Sequence, residues 1–385
     1  MRLFSIFLAI SFCSGYASAQ QASNDVPDYK ARQAPSYYLQ SVLQDLPLSW
    51  ALAVAPNNEL WISHRHGNIS RVKQTAKESD SAKYDVQMLE FAPDDLLIGG
   101  QGGLLDIIFH PDYAESPWVY VSYSAGTNSA NSLKIVRFKV IDNQVTQIEN
   151  VFAVANKKNT PVHYGGRLAF AQGNALLVAT GDGFDYREQA QVKDNQMGKV
   201  LRMTDTGLPH PLNPFFADGN GNAAYVMSLG HRNPQGLLVT SDQTVIAHEH
   251  GPAGGDEINI IESGVNYGWP VITNGKDYSG ASISPFTSYA GMQQPNLDWT
   301  PSIAPSGMTY YTDISVPGLQ NTLLISSLKF QQIYAVPFVN GVFGQDTGLL
   351  TEPKARLRDI ESDLAGNVWV LGDGEPAELF KLQAK

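Results

Sequence analysis

The sequence predicts an all-β fold, a six-bladed β-propeller, and three observations support this prediction. First, hardly any helical periodicity is found from about Leu46 onward, where short runs rich in Val, Ile, Tyr and Trp alternate with clusters of Gly, Pro, Asn and Asp. Second, one local pattern keeps returning, in which an apolar strand, a polar turn and a second apolar strand follow one another. Third, this pattern occurs six times, at intervals of roughly 45 to 80 residues. Six similar hairpins are typical of six sheets arranged around one axis.

Each hairpin is expected to form part of one blade, whose innermost strand delivers its residues to a central channel. The hairpins are Ala51–Pro56 with Glu59–Ser63, Leu105–Pro111 with Trp118–Ser122, Arg167–Ala171 with Ala175–Thr180, Gly236–Thr240 with Thr244–Glu249, Gly307–Thr312 with Thr322–Ser327, and Arg358–Asp363 with Asn367–Gly372. An alternative fold is two β-sandwiches joined near Asp205–Gly221, a stretch rich in Pro, Gly and Asn. The same hairpin occurs on both sides of that stretch, which favours the propeller.

Residues 1–19 predict a secretory signal peptide. Arg2 precedes the apolar run Leu3–Ile10, which is too short to span a bilayer, and Ala17–Ala19 forms a small-residue cleavage site. Cys13 is the only cysteine and lies in this segment, so we expect neither a disulfide nor a metal-binding thiolate in the exported chain. The protein is therefore expected in the periplasm or secreted.

The rest of the chain is predicted to be a flexible leader over residues 20–45 and one propeller domain over residues 46–385. The leader is polar, contains Pro27 and Pro35, and shows no clear period. Charged residues make up only 16% of the chain and the net charge is −11. This balance argues against nucleic acid or an anionic membrane as the main partner, and we expect no membrane insertion.

Some positive charges of this acidic chain are expected to act together. Arg356 and Arg358 lie at positions i and i+2, and therefore on one face of a strand. Lys329 ends another apolar strand, and Arg232 belongs to a blade different from both of these. If these strand ends converge on one channel, the four cations line a site for a small polyanion. The alternative is that each is a surface charge or pairs with a nearby carboxylate such as Asp359.

His163 is the candidate general base. It precedes Gly165 and Gly166 at the mouth of a predicted strand pair, where a bulky planar ligand could approach the backbone closely. An imidazole suits this work because its ordinary pKa lies near neutral pH. The alternative for a lone histidine is that it caps a strand or satisfies a hydrogen bond in the core.

A glycine-rich turn after the fourth hairpin is a candidate site for a hard cation. Gly251 and Pro252 could direct their carbonyl oxygens at Ca²⁺, and Asp256 and Glu257 are carboxylates close by. The alternative, which the spacing leaves open, is a plain turn capped by these acids.

The glycine-rich run at residues 99–103 does not fit a dinucleotide site. Its spacing differs from the phosphate-binding fingerprint, and a strand rather than a helix is expected after it. It is better explained as backbone that passes close to a ligand, with Gln101 as its one polar side chain. The sequence also contains no Gly-x-Ser-x-Gly elbow, no Walker loop and no His-Glu-x-x-His pattern.

Eight motifs, in order along the chain, resemble those of the soluble pyrroloquinoline quinone (PQQ)-dependent aldose sugar dehydrogenases, which are relatives of the soluble glucose dehydrogenases. The resemblance extends from about Leu46 to Leu382, and it is strong because the motifs occur together and in order. The motifs are Gln101–Leu105 with Phe109–Tyr113, His163–Leu168, Gly230–Gly236, His250–Pro252 with Gly255–Asn259, Asn266–Pro270, Ala304–Gly307, Ser327–Lys329 and Arg356–Asp359.

This resemblance implies a six-bladed propeller with PQQ over the channel, and it implies roles for the residues whose motifs match. His163 corresponds to the catalytic base. The residues that hold the quinone correspond to Gln101, His163, Arg232, Asn233, Tyr278, Ser302, Lys329, Arg356 and Arg358. The carbonyls of Gly251 and Pro252 correspond to ligands of an active-site Ca²⁺, and Glu257 with the backbone of Tyr267 corresponds to a second, structural calcium site.

The implied reaction is the oxidation of an aldose sugar at C1 to the lactone. His163 is expected to take the proton of the anomeric hydroxyl while a hydride passes to the quinone, with Ca²⁺ as a Lewis acid. The electrons then pass to an external soluble acceptor. The protein is expected to act as a monomer or a homodimer.

Three departures from the glucose-specific branch concern the sugar rather than the reaction. Val162 stands where that branch has an acid beside its histidine, His250 replaces a glutamine, and Trp299 does not align with the tryptophan that stacks on substrate. They favour the broader aldose dehydrogenases.

Two other functions are considered for the same fold. One is a binding module without catalysis, which has no need to keep His163, Lys329 and the Arg356/Arg358 pair together. The other is a calcium-dependent lactonase-type propeller, which needs side-chain carboxylates and amides around a central metal.

Overall fold

Six antiparallel sheets follow one another along the chain as the blades of a β-propeller. The computed structural model describes residues 36–75, 84–218, 221–352 and 355–385. Within these ranges five sheets have four strands and one has five. The innermost strands of neighbouring blades contact one another around the ring, the last with the first included. The predicted all-β, six-bladed fold is confirmed.

The strands are numbered in chain order. They are β1 (Tyr37–Leu46), β2 (Ser49–Val54), β3 (Leu60–His64), β4 (Asn68–Gln74), β5 (Tyr84–Glu90), β6 (Leu104–Phe109), β7 (Val119–Thr127), β8 (Ala130–Ile141), β9 (Gln144–Ala153), β10 (Gly165–Ala171), β11 (Ala175–Thr180), β12 (Lys199–Met203), β13 (Val226–Leu229), β14 (Pro234–Val239), β15 (Val245–Glu249), β16 (Asp256–Ile260), β17 (Leu297–Trp299), β18 (Pro305–Tyr311), β19 (Thr322–Ser327), β20 (Ile333–Val339), β21 (Val342–Phe343), β22 (Thr347–Gly348), β23 (Leu357–Ser362), β24 (Val368–Gly372) and β25 (Ala377–Ala384). Short 3₁₀ helices occur at Gln172–Asn174, Arg187–Gln191, Phe216–Asp218 and Asn222–Tyr225.

The blades use these strands in sequence. β2–β5 form the first blade, β6–β9 the second, β10–β13 the third, β14–β17 the fourth, β18–β22 the fifth, and β23–β25 with β1 the sixth. Each predicted hairpin is found as the two innermost strands of a blade. None of the helices in the described parts of the chain is long and apolar enough to cross a membrane.

The second strand of a blade is an almost continuous apolar run because it is covered on both faces. All residues of β3, β11 and β19 are buried. Side chains from adjacent blades pack between the sheets, as Leu60 and Ile62 of the first blade do with Trp369 and Leu371 of the sixth. Burial on both faces removes the alternation expected of a half-exposed strand.

Every inner strand is irregular where it begins. The pairing shifts register between Ser49 and Ala51, Leu104 and Ile107, Gly165 and Leu168, Pro234 and Gly236, Pro305 and Met308, and Leu357 and Asp359. Such bulges redirect side chains and end regular pairing, and they are common beside functional sites. All six lie at one end of the propeller, because the inner strands all begin there.

The start of the chain corrects one prediction. Residues 37–45, expected to be the last part of a flexible leader, belong to β1, which pairs antiparallel with β25. The first and last described strands therefore complete the sixth blade together, and this pairing covers an open sheet edge. Two bulges in the pairing interrupt the alternation of side chains along β1, so the sequence shows no strand period there. The predicted signal peptide and residues 20–35 lie outside the described residues.

Candidate active site

Two cavities lie at the end of the propeller where the inner strands begin. The larger, of about 570 Å³, is lined by five residues predicted to hold a ligand, Gln101, Asn233, Lys329, Arg356 and Arg358. The smaller, of about 270 Å³, is lined by four others, His163, Arg232, Pro252 and Tyr278. Residues adjacent in sequence, such as Arg232 and Asn233, line the two cavities, which we treat as one candidate site. The structure thus brings the histidine and the cations together.

His163 is held rigidly at the start of the third blade. Its side chain is buried, and its Nδ1 lies 2.7 Å from Oδ1 of Asp182. Its backbone N–H donates to Oε1 of Gln101 at 2.8 Å, and its φ of 52° lies in the left-handed region. Because Nδ1 is bonded to Asp182, Nε2 is the ring nitrogen that can act on a ligand in the smaller cavity.

Asp182 is a site residue that the sequence reasoning missed. Its carboxylate also accepts hydrogen bonds from the backbone N–H of Phe184 and the indole N–H of Trp269, both at 2.8 Å. A signal for it existed, because Gly165 pairs with Thr180 across the predicted hairpin. Extending that antiparallel register by two residues places residue 182 opposite His163.

Several groups act on the protonation of His163. Burial lowers the pKa of its imidazole, and the hydrogen bond and charge of Asp182 oppose this effect. The positive charges of Arg232 and Lys158 lower the pKa further. The net pKa lies below the ordinary value, so the imidazole is neutral at pH 7 and able to accept a proton.

Phe184 forms an apolar wall beside the imidazole, and the sequence reasoning missed it too. Its ring meets His163 edge-on with the centroids 5.1 Å apart, and 44% of the residue is exposed. Its φ of 68° is unusual for a bulky side chain, and such strain is most often found at functional positions.

Arg356 and Arg358 share one carboxylate at the mouth of the larger cavity. Arg356 donates to Oδ2 of Asp373 at 2.8 Å, and Arg358 donates twice to Oδ1, at 2.9 and 2.6 Å. Burial raises the pKa of Asp373, but the two arginines outweigh it and hold the pKa below the usual range. The suggested alternative partner, Asp359, binds Arg167 instead. The arginine pair therefore keeps a net positive charge in the cavity.

Arg65 is a further cation of the larger cavity that was not predicted. Its guanidinium donates to the carbonyls of Gly100 and Gly102 at 2.7 and 2.6 Å. At Gly100, a Cβ atom would collide with the carbonyl of Pro161. The glycine run thus allows the backbone to pass close to its neighbours, and it places Gln101 in the cavity.

Arg232 and Asn233 begin the fourth blade with different roles. Arg232 donates to the carbonyls of His250 and Gly251 at 3.0 and 2.8 Å, and its guanidinium lies 5.3 Å from the ring of Trp269. The side-chain oxygen of Asn233 accepts from the backbone N–H of Gly165 at 3.2 Å. Arg232 therefore contacts both the turn at Gly251 and Trp269, the residue whose indole N–H binds Asp182.

Comparison with known proteins decides the family. The glucose/sorbosone dehydrogenase family matches residues 45–381. The chain belongs to this family. It is 35% identical to the aldose sugar dehydrogenase YliI of Escherichia coli over 91% of this chain and 94% of that protein. It is 28% identical to quinoprotein glucose dehydrogenase B of Acinetobacter calcoaceticus over 86% and 84% of the two chains.

A solved structure agrees with this assignment. The PQQ-bound form of an aldose sugar dehydrogenase from Streptomyces coelicolor superposes with a TM-score of 0.73 and 26% identity, over 91% of this chain and all of the other. The resemblance inferred from the eight motifs is confirmed. The fold and the membership in a family of sugar-oxidising enzymes follow.

The turn at Gly251 and Pro252 is held by the carboxylate of Asp256. The backbone N–H of Gly251 donates to Oδ1 of Asp256 at 2.9 Å. Oδ2 of Asp256 accepts from the hydroxyl of Ser302 at 2.6 Å. Ser302, predicted to contact the quinone, is thus placed on the carboxylate that holds the turn. Tyr278, the other predicted contact, is 67% exposed at the smaller cavity, where Pro252 also lies.

Glu257 and Tyr267 lie apart from the two cavities. Glu257 faces Glu249 and Asp298 on the adjacent strands β15 and β17. Burial and the charge of Glu249 raise the pKa of Glu257 well above its usual range. Tyr267 is buried and its hydroxyl donates to the carbonyl of Ile260 at 2.6 Å. Among the described residues, no group of three or more His, Cys, Asp or Glu side chains has the spacing of a metal site.

Proposed function

We propose that the protein is a PQQ- and Ca²⁺-dependent dehydrogenase that oxidises aldose sugars at C1 to the lactone and passes the electrons to a soluble acceptor. The observation that carries the proposal is the position of His163, a buried imidazole bonded to Asp182 and next to a cluster of cations. The relatives named aldose sugar dehydrogenase and quinoprotein glucose dehydrogenase support the reaction class. Export to the periplasm or beyond is part of the proposal and rests on the signal peptide predicted at residues 1–19.

The larger cavity suits a planar polyanion such as PQQ, which carries three carboxylates. Four cations line it, and they are Arg65, Lys329, Arg356 and Arg358. The rings of Trp50 and Tyr164 supply flat apolar walls, and Asp373 offsets part of the positive charge. Guanidinium groups bind carboxylates in two places, so the arginines would orient the cofactor as well as attract it. When bound, PQQ supplies the acceptor for the hydride that leaves C1 of the sugar.

His163 would start the reaction by removing the proton of the C1 hydroxyl. Its Nε2 is the available nitrogen because Nδ1 is bonded to Asp182. The lowered pKa keeps this nitrogen unprotonated at neutral pH, and the carboxylate of Asp182 would stabilise the imidazolium that forms. General-base help of this kind is typically worth about 10²–10⁴ in rate.

The turn at Gly251 suits a Ca²⁺ ion held by carbonyl oxygens. The carbonyls of Gly251 and Pro252 would be the protein ligands, and the hydrogen bond that Gly251 N–H donates to Asp256 fixes the turn that presents them. A carbonyl oxygen has two lone pairs, so that of Gly251 can accept from Arg232 and still bind a cation. Bound Ca²⁺ supplies Lewis-acid polarisation.

A second, structural Ca²⁺ is proposed at Glu257 and the backbone carbonyl of Tyr267. The three carboxylates that follow one another across β15, β16 and β17 belong to Glu249, Glu257 and Asp298. A divalent cation bound to Glu257 would offset the cost of burying that carboxylate, since Glu249 is already bonded to His231.

The side chains at the axis of the propeller disfavour a lactonase-type metal site. The axial carboxylates of Asp106 and Asp359 are bonded to Arg167, at 3.2 and 2.8 Å. A guanidinium thus occupies the place where such a reaction would need a metal held by carboxylates.

Dye-linked oxidation of a panel of aldoses by the purified chain tests the proposal. The assay is run with PQQ and Ca²⁺ together, with each alone, and with neither, and PQQ binding is followed separately by fluorescence titration. We expect turnover only when both are added. Saturable PQQ binding without turnover on any sugar would favour the binding module, and the absence of both binding and turnover would contradict the proposal altogether.

A further inference from the structure

Lys158 is a buried lysine beside the base whose ammonium group hydrogen-bonds to backbone carbonyls. It is 5% exposed, and its Nζ donates to the carbonyl of Thr160 at 2.8 Å and to that of Val162. The same Nζ lies 3.5 Å from the centre of the Tyr164 ring. Burial lowers the pKa of Lys158 to about 7. A buried ammonium is costly unless its donors are used, so its retention at this place needs an explanation.

The bonds of Lys158 organise the segment that ends at His163. Thr160 and Val162, whose carbonyls it binds, are the third and first residues before the base. Thr160 is also tied by its hydroxyl to the carbonyl of Gly183, at 2.7 Å. Gly183 follows Asp182 in the chain. Through Thr160, Lys158 is therefore linked to the backbone next to both members of the His163–Asp182 pair.

The charge of Lys158 also acts on the base. Asp182, Arg232 and Lys158 act on the pKa of His163, and His250 is a further titratable group that interacts with it. Asp182 favours the imidazolium, whereas the two cations favour the neutral ring. Arg232 donates to the carbonyls of His250 and Gly251, whereas Lys158 donates to the carbonyls of the segment that leads to the base itself.

We propose that Lys158 is a positioning residue for the general base, which fixes the segment before His163 through two carbonyls and disfavours protonation of the imidazole by its charge. The proposal rests on the proposed function for its effect on turnover. Its effect on the histidine itself is independent of PQQ, Ca²⁺ and substrate.

The first test is the NMR titration of ¹⁵N-labelled histidine in the protein without cofactor, with the His163 signal assigned from His163→Gln. In Lys158→Met, we expect the pKa of His163 to rise, because a nearby positive charge is lost. The matched control is Lys199→Met. Lys199 is equally buried and donates to the carbonyls of Gln189, Ala190 and Met197, but it does not act on His163, so its variant should leave that titration unchanged.

The second test is turnover with PQQ and Ca²⁺. We expect Lys158→Met to lower kcat by about 10- to 100-fold, with little change in KM. Without the bonds of Lys158 the segment before His163 is less ordered, and the base is then misplaced. The acidic limb of the kcat profile should move to higher pH together with the pKa of His163. Lys158→Arg, which keeps charge and donors, should recover part of the loss, and Lys158→Gln serves in both tests if Lys158→Met does not fold.

The outcomes separate this inference from the proposed function. A folded variant without Lys158 that titrates at His163 like the wild type and has its kcat would overturn the positioning role. If the wild type shows no turnover while the His163 pKa still rises in the variant, the proposed function fails and the action of Lys158 on the histidine is retained. If Lys199→Met shifts the titration as much, the effect is a general loosening and the inference is wrong.

Discussion

Two buried hydrogen-bonded side-chain groups, one at the axis of the propeller and one at its mouth, use their donors and acceptors to different extents. At the axis, Arg167 donates to Asp106 and Asp359, and its Nε donates to the carbonyl of Gln235 at 2.8 Å. At the mouth, Nδ1 of His163 is bonded to Asp182, while the imidazole also lines a cavity.

The hydrogen bonds of Arg167, Asp106 and Asp359 at the axis connect most of the blades. Asp359 also accepts from the backbone N–H of Leu52 at 2.8 Å, and Asp106 accepts from that of Leu168 at 2.7 Å. With Arg167 and Gln235, these residues come from every blade but the fifth. A buried pair whose groups are all partnered holds a fold together, whereas one that presents a titratable nitrogen to a cavity can carry out chemistry.

The largest effect on activity is expected when the base at the mouth is replaced. We expect His163→Gln to lower kcat by about 10²–10⁴ because the proton acceptor is lost, with PQQ affinity and thermal stability nearly unchanged. Dye-linked turnover and fluorescence titration measure the two effects. The control is His110→Gln, a buried histidine just after β6 at the opposite end of the propeller. Wild-type turnover in His163→Gln would disprove the base assignment.

Replacement of the axial cation, Arg167, should instead lower the stability of the fold. Arg167→Met leaves Asp106 and Asp359 buried without their partner, and we expect a loss of about 3–5 kcal/mol in the free energy of unfolding. Urea denaturation measures it. Arg187→Met is the control, since both members of its ion pair with Glu188 are exposed and the pair should contribute less than about 1 kcal/mol. Equal losses of unfolding free energy in the two variants would show that the axial ion pairs stabilise the fold no more than an exposed ion pair does.

The arginine pair at the mouth should affect cofactor binding alone. Arg358→Ala removes a charge-assisted contact, and we expect PQQ affinity to fall about 10- to 100-fold. Arg71→Ala, whose partner Glu59 lies at the other end of the propeller, should bind PQQ like the wild type. An unchanged dissociation constant in Arg358→Ala would count against a carboxylate-binding role.

The smallest effect is expected at the apolar wall of the smaller cavity. Phe184→Ala should raise KM for aldoses about 5- to 10-fold, because a sugar loses an apolar surface next to the base, while kcat changes little. Phe286→Ala removes an aromatic ring of similar exposure outside the lining of this cavity. If both variants raise KM equally, Phe184 has no specific contact with the sugar.

The hairpins and the family motifs were predictable because they are local. An apolar run, a polar turn and a second apolar run lie within about 25 residues of one another, and their meaning does not depend on which blade packs next. Gln101, Asn233, Lys329 and Arg358 were found for a related reason, since each belongs to a short family motif and lies near the end of a strand that borders the larger cavity. The sequence by itself determined the class of fold and the approximate composition of the site.

The choice of partners was decided only by the tertiary structure. The arginines bind Asp373 rather than the adjacent Asp359, because the axis holds Asp359 on Arg167 from another blade. Residues 37–46 become a strand only because β25 offers an edge more than 300 residues later. Partner choice is a competition among many similar groups, and the closing of the ring decides which of them are near enough to compete.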